Sequence, residues 1–166
     1  MRALFLDVLR ELEAEVRALR EEQDEADRPE ESSARITLLG QFSLFVDEEF
    51  SRQVPLIATA DVDALIDASW PVRSAFVRVL NKRGLEYDEL SSEVWIPPDS
   101  TFLVLWESEV LRCEYLSPLY CLLSKAVKAP EKNRRLILQG IQIFGDELRK
   151  LINHHGGDIL FFTSER

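Results

Sequence analysis

Segments with the 3.6-residue period of a helix and short apolar runs of strand type alternate along the whole chain. This alternation confines it to a mixed fold. Phe5, Leu9, Leu12, Val16 and Leu19 follow one another at spacings of 4, 3, 4 and 3, which predicts an apolar stripe on a helix over residues 3–20. Residues 21–33 are acidic and contain Pro29, and read as a linker. Two readings of the first helix stand open: it packs back on the domain, or it meets a protein partner or a second copy.

Strands are predicted over residues 35–39 and 55–64, with a helix opening over 42–46 and a polar loop over 47–53. Pro71, Val72, Phe76, Val79, Leu80 and the stop at Gly84 predict a second helix. Residues 93–96 and 101–106, separated by Pro97, Pro98, Asp99 and Ser100, predict a hairpin, with a further strand over 110–115. Ser117 and Pro118 open a helix faced by Leu119, Leu122, Leu123, Ala126 and Val127. Pro130 opens a longer one with Leu136, Ile137, Ile141, Phe144, Leu148 and Leu151 inward, which Gly156 and Gly157 end before a last strand over 158–163. The expected fold is a small α+β domain: a mixed sheet with flanking helices and a C-terminal helical pair. Residues 33–166 form the domain, and residues 1–32 its N-terminal amphipathic helix and acidic linker.

At 166 residues, 46% hydrophobic, the chain is long enough to bury a core without disulfides or a structural metal, and it does not have a disordered composition. The net charge of −10 disfavours non-specific binding to nucleic acid or anionic membrane. Residues 1–32 hold eleven acids against five bases, so the rest of the chain is closer to neutral. Cys113 and Cys121 match neither a zinc motif nor a secreted disulfide framework. No apolar run reaches membrane-span length, and residues 3–6 are too short for a signal-peptide core. These features predict a cytoplasmic protein with reduced thiols and no membrane association.

Asp61 and Asp63 stand one residue apart at the end of a predicted strand. On a strand, positions i and i+2 share a face, with Cα atoms about 6.6 Å apart. At an effective dielectric near 20, two carboxylates at that distance repel by roughly 2.5 kcal/mol. Such a pair either sits in water or holds a hard cation. Upstream, a strand runs into Gly40 and then into the helix start at Gln41, Phe42 and Ser43, a place where backbone N–H groups can meet a phosphate.

Strand–Gly–helix followed by strand–Thr59-x-Asp61-x-Asp63 resembles the nucleotidyltransferase superfamily of the polymerase-β type, whose hallmark is hG[GS] and then Dh[DE]h. It looks closest to the bacterial minimal nucleotidyltransferases and abortive-infection toxin proteins, where a threonine or serine commonly precedes the first aspartate by two residues. The helix carrying Lys125 and the cluster from Lys132 to Arg135 also look similar, so the likeness covers residues 35–150 in outline. It implies a nucleotidyltransferase-like mixed sheet and Mg²⁺ or Mn²⁺ at Asp61 and Asp63 as the catalytic and metal-binding pair. It also implies Gly40, Gln41 and Ser43 at the phosphates of a nucleoside triphosphate, with Lys125 facing the nucleotide. The reaction implied is transfer of a nucleotidyl group to a hydroxyl on a protein, RNA or small molecule. The third carboxylate of the pattern is Glu93 or Glu107, with Glu107 the proposed metal ligand. Gln41 stands where the family has glycine or serine, and the spacer from Gly40 to Asp61 is longer than usual. The alternative is therefore a catalytically degenerate binding or regulatory module, part of a two-component system of the toxin–antitoxin kind. Nucleic acid enters only as a possible acceptor.

Lys125, Lys128, Lys132, Arg134 and Arg135 read as a triphosphate or RNA patch, or as a solvated helix face. His154 and His155 read as cations at a helix C-terminus. Trp70, Trp95 and Trp106 read as core or sheet-face residues.

Overall fold

The computed structural model describes residues 1–26 and 33–163, so residues 27–32 of the linker expected over 21–33 lie outside the described residues. The chain runs α1 (Arg2–Glu25), β1 (Ala34–Leu38), α2 (Gly40–Val46), α3 (Glu48–Gln53), β2 (Asp61–Val62), β3 (Ala64–Asp67), α4 (Trp70–Lys82), β4 (Glu86–Tyr87), β5 (Phe102–Glu107), β6 (Leu111–Leu116), α5 (Pro118–Lys128), α6 (Pro130–Phe144), α7 (Asp146–His154) and α8 (Ile159–Thr163). The architecture is α+β. The main sheet has the order β3-β1-β6-β5, and β2 and β4 form a separate two-stranded ribbon. In the main sheet β1 is parallel to β6 but antiparallel to β3, and β5 is antiparallel to β6.

Helix α1 buries Phe5, Val8, Leu9, Leu12 and Val16, the expected stripe, in one core with the sheet and α4. It continues to Glu25 because residues 21–25 hold no proline or glycine and are mostly good helix formers. Its polar edge meets α4 through Glu15–Arg78 at 2.6 Å and Glu11–Lys82 at 2.6 Å. Exposed pairs of this kind are screened by solvent and add little, so the apolar stripe holds the helix.

The strands of this core alternate as a half-covered sheet requires. Ala34, Ile36 and Leu38 of β1 are buried, as are Leu111, Cys113 and Tyr115 of β6. A second core gathers Leu39, Leu44, Phe50 and Leu116 with Leu122 and Leu123 of α5, Ile137 and Ile141 of α6, Leu148 and Ile152 of α7, and Phe162 of α8. Gly140 lets α6 close on α5, since a Cβ there would fall 2.5 Å from Leu122 Cδ1. The two cores meet at the C-terminal ends of β1 and β6, where Leu38 belongs to the first and Leu39 to the second.

Several expected elements differ. Residues 48–53 are helical rather than loop because Asp47 caps them, accepting from Phe50 N at 2.8 Å, and Phe50 is buried. Of the strand expected over 55–64, residues 55–60 have no regular structure and β2 keeps only 61–62; β3 follows beyond Asp63 and joins the other sheet. The hairpin is β5–β6, not 93–96 with 101–106, and a tight turn at Ser108 closes it through Ser108 N donating to Leu111 O at 2.9 Å. Gly145, at φ 59°, breaks the long C-terminal helix into α6 and α7, so that region is a cluster of four helices rather than a pair. Residues 159–163 form α8, not a strand, with Asp158 Oδ1 accepting from Leu160 N at 3.0 Å at its start. Among the described residues, no helix is long and apolar enough to cross a membrane.

Candidate functional site

The ribbon collects carboxylates by its register. Asp61 lies opposite Glu86 and Val62 opposite Tyr87 in parallel pairing. Asp88 N donates to Val62 O at 3.0 Å, which carries the pairing on to Asp63 and Asp88. Val62 is buried in the first core and anchors the ribbon. Asp63 marks the crossing into the main sheet, where its carbonyl accepts from Leu39 N at 2.8 Å at the end of β1. Ser91 holds the other side: its Oγ donates to Asp88 O at 2.5 Å and accepts from Ala64 N at 3.0 Å, fully buried. Thr59 Oγ1 accepts from Asp61 N at 3.1 Å, so the threonine before the first aspartate orients backbone.

Burial pushes the Asp63 carboxyl up to about 6 from its ordinary 3.8, and a hydrogen bond with Asp88 and the Asp88 charge push the same way. Lys125 opposes this rise and Asp61 adds to it, so both lie within electrostatic reach. Gly40 makes the arrangement possible. Its φ of 58° suits glycine, and a Cβ there would fall 2.3 Å from Asp63 Oδ2. The Gly40 carbonyl accepts from Ser43 Oγ at 2.7 Å and from Cys121 Sγ at 3.2 Å.

A cleft of about 750 Å³ opens above this point. Gly40 and Asp63 form one end, and Lys125, Lys128, Lys132 and Asn133 line the helical side. Residues 92–96 line it as well, among them Trp95 and Glu93. The run of five bases therefore divides. Three lysines face the cleft, while Arg134 donates to Phe161 O at 3.0 Å and sits over the Phe161 ring at 5.6 Å.

Of the residues singled out from the sequence, Gly40, Asp63, Glu93 and Lys125 line this cleft, and Asp61 lies within electrostatic reach of Asp63. Ser43 is fully buried, its hydroxyl turned to Gly40 O and away from the cleft. Gln41 reaches instead toward Ile57 O, at 3.5 Å, and does not line the cleft. Glu107 is far from Asp63. It lies opposite Arg112 and bonds it at 2.5 Å, at the end of the sheet where β1 begins, whereas Asp63 joins β1 where it ends. The carboxylate beside Asp63 is Asp88, which sequence reasoning missed. A two-residue strand has no period, and the one available signal was an acid just after Leu85, Glu86 and Tyr87. Trp70 is not a core residue but 78% exposed, whereas Trp106 covers α1 and donates to Glu13 Oε1 at 3.2 Å. Burial pushes both thiols up, which suits neither to act as a nucleophile.

Among the described residues, no three or more carboxylate, imidazole or thiol groups form a ready metal cluster. The Asp63–Asp88 pair, with Asp61 in reach, is the donor set present. It fits Mg²⁺, which commonly takes one or two carboxylates and fills its remaining positions with water and phosphate oxygen.

The sign of the pH effect follows. Between pH 3.8 and about 6 the folded protein keeps a proton that the unfolded chain has released, so stability falls as pH rises through that window. Discounted for solvent screening, the fall is about 1–2 kcal/mol. Asp63→Asn is expected to remove this step, leaving the variant more stable than the parent at neutral pH by a similar amount. Melting curves of the two proteins across that window read the difference, and parallel curves would mean that Asp63 ionises freely.

Comparison with protein-family models, with curated proteins and with solved structures finds no match for this chain.

Proposed function

We propose that the protein binds a nucleoside triphosphate with Mg²⁺ or Mn²⁺ in the cleft beside Asp63 and transfers its nucleotidyl group to a hydroxyl of a protein, RNA or small molecule. The observation that carries this reading is the meeting of Asp63 and Asp88 against Gly40, at the mouth of a cleft whose other wall carries Lys125, Lys128 and Lys132. Carboxylates facing lysines across a cleft suit a ligand that is itself anionic and arrives with a cation.

Asp63 and Asp88 would hold the ion, with the Asp61 charge within electrostatic reach; when bound, the ion supplies charge neutralisation at the transferring phosphate. Carboxylates bind a cation in their ionised form, so binding would be favoured as pH rises past the raised value of Asp63, about 6. The three lysines draw in and orient the phosphates, the role that matters most where the transition state is loose. Ser91 and Leu39 N hold the aspartate backbones in place, so the carboxylates need little rearrangement when ligand arrives. In the reaction the acceptor oxygen bonds to the α-phosphorus, pyrophosphate leaves, and the acceptor loses its proton.

Thermal unfolding tests the binding step. A ligand at 100 times its dissociation constant adds about 2.7 kcal/mol, a melting shift of roughly 5–10 °C for a chain of this length. That shift is expected with metal and triphosphate together, and not with Asp63→Asn. Absence of any shift with the four ribonucleoside triphosphates and either metal sinks the proposal. A shift without transfer of an α-phosphate label to any acceptor leaves a nucleotide-binding regulatory module in its place.

A further inference from the structure

Beside the lysine helix, the lining of the cleft carries an aromatic ring, Trp95. Trp95 is half-buried, and its backbone carbonyl accepts from Ser124 Oγ at 2.6 Å, which pins the segment to α5. Val94 and Ile96 on either side pack into the second core. The indole and the His155 ring meet in a T-shaped contact, with centroids 5.8 Å apart at 69°. The Lys128 ammonium lies over one face, 5.3 Å from the centroid. Lys128 is itself exposed, one helical turn beyond Lys125, which faces Asp63. The cleft thus runs from carboxylates, past a cation, to a ring under a movable lysine.

We infer that Trp95 is the seat of the nucleobase, stacking on it after Lys128 swings from the ring to the phosphates. This rests on the nucleotide reading of the cleft and deepens it: the ligand is a nucleotide held at both ends, not any polyphosphate. An exposed lysine loses little on leaving an aromatic face, and a phosphate offers it a full negative charge in exchange. The backbone of Trp95 is held by Ser124, and its ring already rests against His155. Stacking on a π-face is tolerant of base identity, so the seat contributes affinity without choosing among the four bases.

The test compares inorganic triphosphate with each ribonucleoside triphosphate, all with Mg²⁺, by calorimetric titration. In the parent protein the nucleotides are expected to bind about ten- to a hundredfold tighter than inorganic triphosphate. Trp95→Phe retains most of that ratio. Trp95→Ala brings it to near one and leaves inorganic triphosphate unaffected, which also shows that the variant is folded. Equal binding of the two ligands by the parent, or an unchanged ratio in Trp95→Ala, overturns the base seat and leaves the metal–phosphate reading standing. Binding of neither ligand overturns both.

Discussion

Truncating Phe5 to alanine is expected to lower the melting temperature by about 6–20 °C, from the 3–5 kcal/mol that removal of a buried phenyl ring costs. Phe5 has no exposed surface, and its ring meets Phe42 edge-on at 5.1 Å and Phe76 at 6.4 Å. It therefore joins α1 to α2 and α4 at one point, next to the helix that begins at Gly40. The surrounding side chains cannot collapse into the hole without drawing α2 from the sheet, which places the expected cost toward the upper end of the range. Calorimetry or circular dichroism measures it. A shift under about 3 °C would mean that the first helix is a detachable arm, open to the partner contact considered from the sequence.

The second large effect is expected from Gly40→Ala. Alanine at φ 58° carries about 1–2 kcal/mol of backbone strain. Its methyl would also contact Asp63 Oδ2 at 2.3 Å, so the carboxylate must turn away from Asp88. Backbone strain and displaced carboxylate together predict a melting point lower by roughly 3–10 °C. They also predict loss of the stabilisation by metal and triphosphate. The pH step assigned to Asp63 separates the two contributions. If strain acts alone, the step over the window from 3.8 to about 6 survives; if Asp63 is displaced, it disappears with its cause, the burial beside Asp88. A variant that melts like the parent and still responds to ligand would show that Gly40 is not what admits Asp63.

Where a segment has a long period or strong punctuation, its sequence was readable. The stripe from Phe5 to Val16 and the Ser117–Pro118 start placed α1 and α5, and the mixed α+β class followed from their alternation with strands. Reading failed where tertiary contact or one hydrogen bond decides. Asp47 turns a polar segment into α3 by capping it, and Asp158 starts α8 in an apolar, strand-like stretch. Gly145 looked like one residue of a long helix, yet its backbone divides two. At the site, Asp61, Asp63 and Gly40 were legible because their spacing on a strand and a turn has a geometric meaning. Asp88 was not, since only the parallel register of β2 with β4 brings it to Asp63. Glu107 looked equivalent in sequence, and its position at the opposite end of the sheet follows from pairing that no local pattern encodes.

The ribbon that bears the carboxylates has a consequence for cooperativity. Its strands are two residues long each, against five and six for β1 and β6, and like charges gather along it. Two ladder bonds, the Leu39–Asp63 bond and Ser91 hold it to the rest. Its amides therefore open at a lower free energy than those of the main sheet and exchange with solvent first. The framework keeps its order through such openings, because Val62 is the one ribbon residue wholly buried in the core. A cation bridging Asp63 and Asp88 would act as a clasp on the least protected part of the molecule, slowing exchange at Asp88 while leaving β1 and β6 unchanged.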